Sequence, residues 1–207
     1  MAENYLRRSA LVHLGLAGRA DRTPVGDLAR AGVRLSERPH RCQILLRGEP
    51  GDDRFRDALR GTTGLELPSN NRVSSKENLR LLWLAPDEFL LVGQPGREAI
   101  FLPSLEAALS GQRAMALDVS DMRTTISLAG PSVRDLINCG CGLDLHPSRF
   151  ATGQCAQTRL AKCTVILDRV ADEPRFEILV TISYADYLWR WLERAGAEFG
   201  VAVEAAS

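Results

Sequence analysis

Phe176-Glu177-Ile178-Leu179-Val180-Thr181-Ile182 leads directly into Ser183-Tyr184-Ala185-Asp186-Tyr187-Leu188-Trp189-Arg190-Trp191-Leu192. Phe176, Ile178, Val180 and Ile182 share one face, the period-two signature of a strand with one side against a core. The period then changes. Tyr184, Leu188, Trp191, Leu192, Ala195 and Phe199 recur at helical spacing and share a face, with Asp186, Arg190 and Glu193 opposite. Ser183 with Asp186 three residues on has the form of a capping box, with Asp in place of Glu. A strand feeding an amphipathic helix implies a layer of sheet under a layer of helix.

Upstream of this unit, 158–167 reads as a strand and 168–174 as a turn. Met115, Leu117 and Val119 alternate as one strand, and 125–129 as another. Gly130-Pro131 opens a helix over 132–138, since proline at a first helical position gives up no intrahelical hydrogen bond. A loop rich in Gly, Pro and Ser then runs to about residue 153. The same order occurs once nearer the N-terminus. Cys42, Ile44 and Leu46 alternate as a strand, 52–60 reads as a helix ending at Gly61, and 62–78 is rich in loop-forming residues. Apolar runs at 79–84 and 89–92 flank Ala85-Pro86-Asp87-Glu88, a hairpin pattern, and a helix over 100–109 closes at Gly111.

The chain thus reads twice as strand, helix, paired strands, helix, over 41–111 and 114–203. The expected fold is α+β: two small β-α-β-β-α-type sandwich units with antiparallel sheets, each carrying its helices on one face. Residues 1–40 are poorly patterned and read as an N-terminal extension, with 3–16 either one amphipathic helix or a segment draped over a partner, and a helical turn at 26–32.

The 207 residues carry 26 basic and 26 acidic side chains and no formal net charge. A nucleic-acid binder usually shows a basic excess, so this balance argues against one. Near-neutral charge also gives little protection against association, which suits a subunit held among partners. The odd count of cysteines, five, does not fit a closed disulfide framework and points to reduced thiols. The longest apolar runs have strand length and are too short to span a bilayer. Arg7 and Arg8 precede a short apolar stretch, but Arg19, Asp21 and Arg22 follow where a small-residue cleavage site would be needed. The cytoplasm is the expected location.

Chemistry-bearing motifs are few. The sequence has no G-x-G-x-x-G, no G-x-x-x-x-G-K-[ST] and no G-x-S-x-G, so a nucleotide or flavin site held by this chain alone is not expected. Cys139 and Cys141 form a C-x-C pair, with Cys155 and Cys163 further on, a spacing unlike the usual zinc ligand sets; no metal site is expected. His146, in Asp144-Leu145-His146-Pro147, sits in a loop where an Asp could orient an imidazole, although a His beside Pro is more often structural. Asp118 and Asp121 lie at a strand end, where a carboxylate could bind an amine but more commonly satisfies turn backbone groups. On the last helix Trp189 lies off the apolar face, toward Glu193. An exposed Trp is a frequent interface anchor, the alternative being a Trp covered by its own chain. Trp189, Tyr187 and His146 are therefore the expected partner-facing residues, with no catalytic, cofactor-binding or metal-binding residue expected.

Several blocks resemble a known family. Asp118-Val119-Ser120-Asp121, Leu128-Ala129-Gly130-Pro131, Gly142-Leu143-Asp144-Leu145-His146-Pro147, Gly153-Gln154-Cys155-Ala156-Gln157-Thr158 and Ala185-Asp186-Tyr187-Leu188-Trp189-Arg190-Trp191-Leu192 are similar, and in the same order, to the gamma subunit of heterotetrameric sarcosine oxidase. The resemblance implies a subunit that is non-catalytic in itself, working beside alpha, beta and delta chains, with alpha the main contact. It implies oxidation of sarcosine to glycine with oxygen, giving hydrogen peroxide and formaldehyde, or 5,10-methylenetetrahydrofolate when tetrahydrofolate is present. FAD, FMN, NAD and tetrahydrofolate are then expected in the partner subunits and none in this chain. It also implies a fold similar to the N-terminal part of aminomethyltransferases. The rival is a free-standing, folate-binding, aminomethyltransferase-like one-carbon protein. Such proteins are longer and carry a further barrel domain, and no residue here matches their catalytic aspartate.

Overall fold

Cys42, Ile44 and Leu46 point one way and Gln43, Leu45 and Arg47 the other, and the strand they form has a neighbour on each side. In the computed structural model, residues 7–22 and 25–205 are described. Their strands, in chain order, are β1 Val33–Arg38, β2 Cys42–Arg47, β3 Val73–Lys76, β4 Leu79–Ala85, β5 Glu88–Gly93, β6 Met115–Asp118, β7 Arg123–Ala129, β8 Cys155–Leu160, β9 Cys163–Ala171, β10 Arg175–Thr181 and β11 Val201–Val203. The α-helices are α1 Leu16–Asp21, α2 Val25–Arg30, α3 Asp53–Thr63, α4 Glu98–Ala108, α5 Val133–Asn138 and α6 Ala185–Gly196.

The strands form a five-stranded sheet, ordered β3-β4-β5-β2-β6, and a six-stranded sheet, ordered β11-β1-β7-β10-β9-β8. All pairings are antiparallel except β1 with β11. Strand by strand, β3-β4-β5-β2-β6 corresponds to β8-β9-β10-β7-β1, with β11 an addition beyond β1. The period-two pattern explains the layers. Ile44, Leu46, Leu81, Phe89 and Leu91 pack under Phe55 and Leu59 of α3 and Phe101 and Leu105 of α4. Leu35, Ile126, Leu128, Phe176, Ile178 and Val180 pack under α5 and α6. The opposite faces meet each other: Leu82, Leu84, Leu90, Val92 and Val119 lie against Cys155, Ile166 and Leu179. The result is helix, sheet, sheet, helix, the expected α+β architecture.

The hairpin and the helices at 52–60, 100–109 and 132–138 fall where the sequence places them, within a few residues. Helix α3 is capped by Asp52, whose side chain accepts from Arg54 N at 2.9 Å. It runs past Gly61 because the left-handed residue that ends it is Gly64, φ 71°.

Several expectations need correction. Residues 1–40 are not simply an extension, since Val33–Arg38 is an inner strand of the six-stranded sheet. Met115–Asp118, counted with the second unit by position, pairs with β2 in the first. Val73–Lys76 is a strand inside the supposed loop, and β11 follows the last helix. These strands are three to six residues long, and Val33 and Leu35 are the only apolar residues of β1, too few for a period to register. In place of a helix over 3–16 there is one 3₁₀ turn at Val12–Leu14 within the described part, residues 3–6 lying outside the described residues. Ser183 does not cap α6. It lies in a 3₁₀ turn, Ile182–Tyr184, and Asp186 turns outward to Arg190 and His13.

Candidate functional site

The helical pattern places Trp189 at an interface, and the structure places it in the core. It is 0 % exposed and belongs to the cluster under α6 with Leu188 and Leu192. The helical phase explains the error. Tyr184, used to set the apolar face, is the end of the 3₁₀ turn and is 53 % exposed. The buried face of α6 is instead Ala185, Leu188, Trp189, Leu192 and Gly196, the i, i+3, i+4, i+7, i+11 series. Trp191 falls on the flank, where its ring lies over Gly140; a Cβ there would meet it at 2.6 Å. Tyr187 is 39 % exposed, and His146 is exposed with Nδ1 2.7 Å from Ser148 Oγ. Among the described residues the hydrogen bonds of His146 are to Asp144 and Ser148 of its own loop, and none joins it to Tyr187 or Trp189.

Of the strand-end carboxylates, Asp118 builds the turn. Asp118 Oδ1 accepts from Ser120 N at 2.9 Å and Ser120 Oγ at 2.5 Å, and Ser120 Oγ accepts from Gln43 N at 3.0 Å. This tightens the crossover from β6 in one sheet to β7 in the other. Asp121 pairs with Arg7 at 2.5 Å. Cys42 and Cys155 are buried, and burial pushes both thiols up to about 12, far from the thiolate range. Cys139 is exposed. Among the described residues, no three of His, Cys, Asp and Glu are grouped to hold a metal ion.

The densest polar chemistry lies between the sheets. One row of side chains crosses the six-stranded sheet on its inner face: Ser36, Ser127, Glu177, Asp168 and Cys155 are successive partners in register. Arg80, on β4 of the other sheet, reaches over and grips Asp168 with both ends of its fork, at 2.6 Å each. Asp168 is 1 % exposed. Burial pushes its carboxyl up, and the Arg80 guanidinium opposes that push. Glu177, also buried, faces Arg38 and Arg41 at 3.5 and 3.6 Å. Around Arg38, Arg41, Arg80 and Glu177 opens a cleft of about 780 Å³, lined also by His40, Asn78 and Arg175. Arg38 Nε is buried in it without a hydrogen-bond partner. The cleft is rich in donors, and its buried carboxylate, Glu177, faces arginines. The motifs of the sequence do not reveal this cluster, although Glu177 and Asp168 sit inside otherwise apolar strands. A charge in a buried strand requires a partner, and that is the available signal.

The model of the sarcosine oxidase gamma subunit family matches residues 47–198, across both sheets. This chain belongs to that family. A sarcosine oxidase subunit gamma from Corynebacterium sp. (strain U-96) is 33 % identical over 95 % of this chain and 93 % of its own length. One from Corynebacterium sp. (strain P-1) is 32 % identical over 96 % and 97 %. The fold agrees. A chain of the heterotetrameric sarcosine oxidase from Corynebacterium sp. U-96 superposes with a TM-score of 0.83 and 33 % identity, over 95 % of this chain and 98 % of that one. The aminomethyltransferase T of the glycine cleavage system from Bartonella henselae shares the fold. Its TM-score is 0.62 at 21 % identity, covering 93 % of this chain and 51 % of that one. No helix among the described residues is long and apolar enough to cross a membrane.

Proposed function

We propose that this chain is the gamma subunit of a heterotetrameric sarcosine oxidase and that its role in the complex is structural. The carrying observation is likeness along nearly the whole length, in sequence and in fold, to a chain of such an oxidase. The complex would convert sarcosine, oxygen and water to glycine, formaldehyde and hydrogen peroxide. With tetrahydrofolate the one-carbon unit would leave as 5,10-methylenetetrahydrofolate. FAD, FMN, NAD and the folate would sit in the partner chains, and alpha would be the main contact of this one, in the cytoplasm. The chemistry of the chain's own side chains supports this division of labour. Cys42 and Cys155 are held as thiols, and Asp168 and Glu177 face arginines. Tyr187 and His146 stay in the proposal as exposed residues available to a partner. Trp189 does not.

A second reading is favoured by the aminomethyltransferase fold together with the arginine-lined cleft: a chain that binds a reduced folate unaided. One experiment separates the two. The chain is co-expressed with the flavoprotein subunits of its own organism, and the purified chain is titrated with a reduced folate while its Trp fluorescence is followed. Recovery in a yellow, sarcosine-oxidising complex, with no saturable folate response from the chain alone, is the expected result. Micromolar folate binding by a chain that joins no flavoprotein would overturn it.

A further inference from the structure

Among the described residues no strand lies beyond β6 in the five-stranded sheet or beyond β8 in the six-stranded one, and β8 carries Gln157, Thr158 and Arg159 where β6 carries Met115, Ala116 and Leu117. At the far side of the five-stranded sheet, β3 closes on the second sheet: Arg72 bridges Gln154, and Val73 N donates to Gly153 O at 2.9 Å. The edge beyond β1 is taken by β11, whose Val201, Ala202 and Val203 pair with Val33, Arg34 and Leu35, and α1 and α2 lie against β11 in turn. The strand equivalent to β1 in the other sheet is β6, and no strand of the described residues lies beyond it.

The free side of β6 is built to receive one. Val119 N donates to Gln43 O at 2.9 Å, so Val119 and Gln43 are a hydrogen-bonded pair. By antiparallel alternation, Leu117 and Met115 also turn their backbone groups inward to β2, and those of Ala116 and Asp118 turn outward. Leu117 and Met115 are 47 % and 43 % exposed, and no charged side chain stands on β6 before Asp118. Met122, in the following turn, is 52 % exposed and accepts from the backbone of the similarly exposed Ile182 at 3.1 Å. An open edge with apolar side chains and no guarding Lys or Pro is an aggregation hazard unless something covers it.

We propose that β6 is the docking edge of this chain, and that its occupant is a short apolar extended segment of a partner flavoprotein subunit, added as the sixth strand of the sheet. The chain's own β11 shows the form of the occupant: three residues of Val-Ala-Val type, paired to the equivalent strand. This rests on the subunit reading above and deepens it.

The test uses the full chain co-expressed with the flavoprotein subunits of its organism. Ala116→Pro deletes one outward N–H and leaves the inward ladder intact, as proline on an edge strand can. Leu117→Lys places a charge on the exposed face. Each should lower the recovered complex about tenfold or more, as loss of a central contact does, while the chain's own melting stays that of the unaltered protein. Ile100→Lys, at an equally exposed apolar site on α4, should leave recovery unchanged. Should Ala116→Pro fail to fold, Leu117→Lys and Met115→Lys carry the test. Unaltered recovery of both edge variants overturns the edge and leaves the subunit reading standing. An unaltered chain that joins no flavoprotein overturns the subunit reading, and the edge falls with it. A dimer of this chain alone that Leu117→Lys dissolves overturns the choice of occupant.

Discussion

The two sheets are built to one plan, and they differ at one edge. In both, a central strand is flanked by a hairpin on one side and a single strand on the other, with two helices on the outer face. In the six-stranded sheet the single strand is β1, delivered from the N-terminus and covered by β11 from the C-terminus. In the five-stranded sheet it is β6, delivered from the middle of the chain, and no strand of the described residues lies beyond it. Among the described residues the six-stranded sheet is finished at this edge by its own chain and the five-stranded sheet is left unfinished. An edge can be finished by its own chain or by another, and β11 is an instance of the first.

The largest expected effect comes from the joint between the halves. Arg80 belongs to the unfinished sheet and Asp168 to the finished one, and their side chains are 12 % and 1 % exposed. Asp168→Ala leaves a buried guanidinium without its partner and should cost about 3–5 kcal/mol. In urea unfolding the expected sign is a lower midpoint. If the sheets share one cooperative unit the transition stays single, whereas two separated transitions would show the halves to be independent.

Next in size is a pair of truncations on equivalent strands. Leu35 of β1 is 0 % exposed, between β11 and β7 and under the helices. Leu35→Ala should cost about 2–5 kcal/mol. Leu117→Ala on β6 should change stability by less than about 0.5 kcal/mol in the isolated chain. A large loss at Leu117 in the isolated chain would mean that the β6 edge is already covered by this chain, and the contrast between the sheets would disappear.

Much of this plan is legible in the sequence. Long alternating strands such as 176–182 and the 79–92 hairpin identify themselves, and two copies of strand, helix, hairpin, helix give the α+β architecture. The edge strands do not announce themselves. β11, β3 and β6 carry three or four residues each, and their identity is set by pairing with strands far away in sequence. β6 is visible as a strand, but its alternation suggests a buried face at Met115 and Leu117, when these are in fact exposed and Ala116 packs toward the helices. Alternation reports that two faces differ; it does not report which of them is covered by this chain. The same limit accounts for Trp189, placed outside by a helical phase that begins one residue too early. The polar cluster between the sheets escapes the sequence for another reason. Arg80 and Asp168 are 88 residues apart, and only the stacking of two sheets brings them together.

A moderate effect should follow at the entry to β1. Gly32 N donates to Phe199 O at 3.0 Å, and a Cβ on Gly32 would lie 2.3 Å from that same carbonyl oxygen. The neighbour is backbone and cannot swing aside. Gly32→Ala should therefore cost about 1–3 kcal/mol and push the segment before β11 away from β1. Amide hydrogen exchange at Val201 and Val203 would show it: faster exchange there, with β9 and β10 unchanged, turns the finished edge into a copy of the unfinished one. Unchanged protection at β11 would mean that α1 and α2 hold that strand without its mooring at Gly32.

The smallest effect concerns how the N-terminal segment is held to the finished half. His13 Nε2 lies 2.7 Å from Asp186 Oδ1, and Arg190 meets the same carboxylate at 2.9 Å. Arg190, and after it His13, hold the Asp186 carboxyl below its usual range. A carboxyl depressed by folding adds stability that is present above its unfolded pKa, about 3.9, and is lost as pH falls through the lower folded value. The difference in melting temperature between the unaltered chain and Asp186→Asn should then shrink as pH falls below about 4. These groups are solvent-exposed, so the difference should also shrink in high salt at neutral pH. A gap that survives to the acid limit would mean that the Asp186→Asn substitution disturbs α6 by its shape, and that the clasp on the N-terminal segment owes nothing to charge.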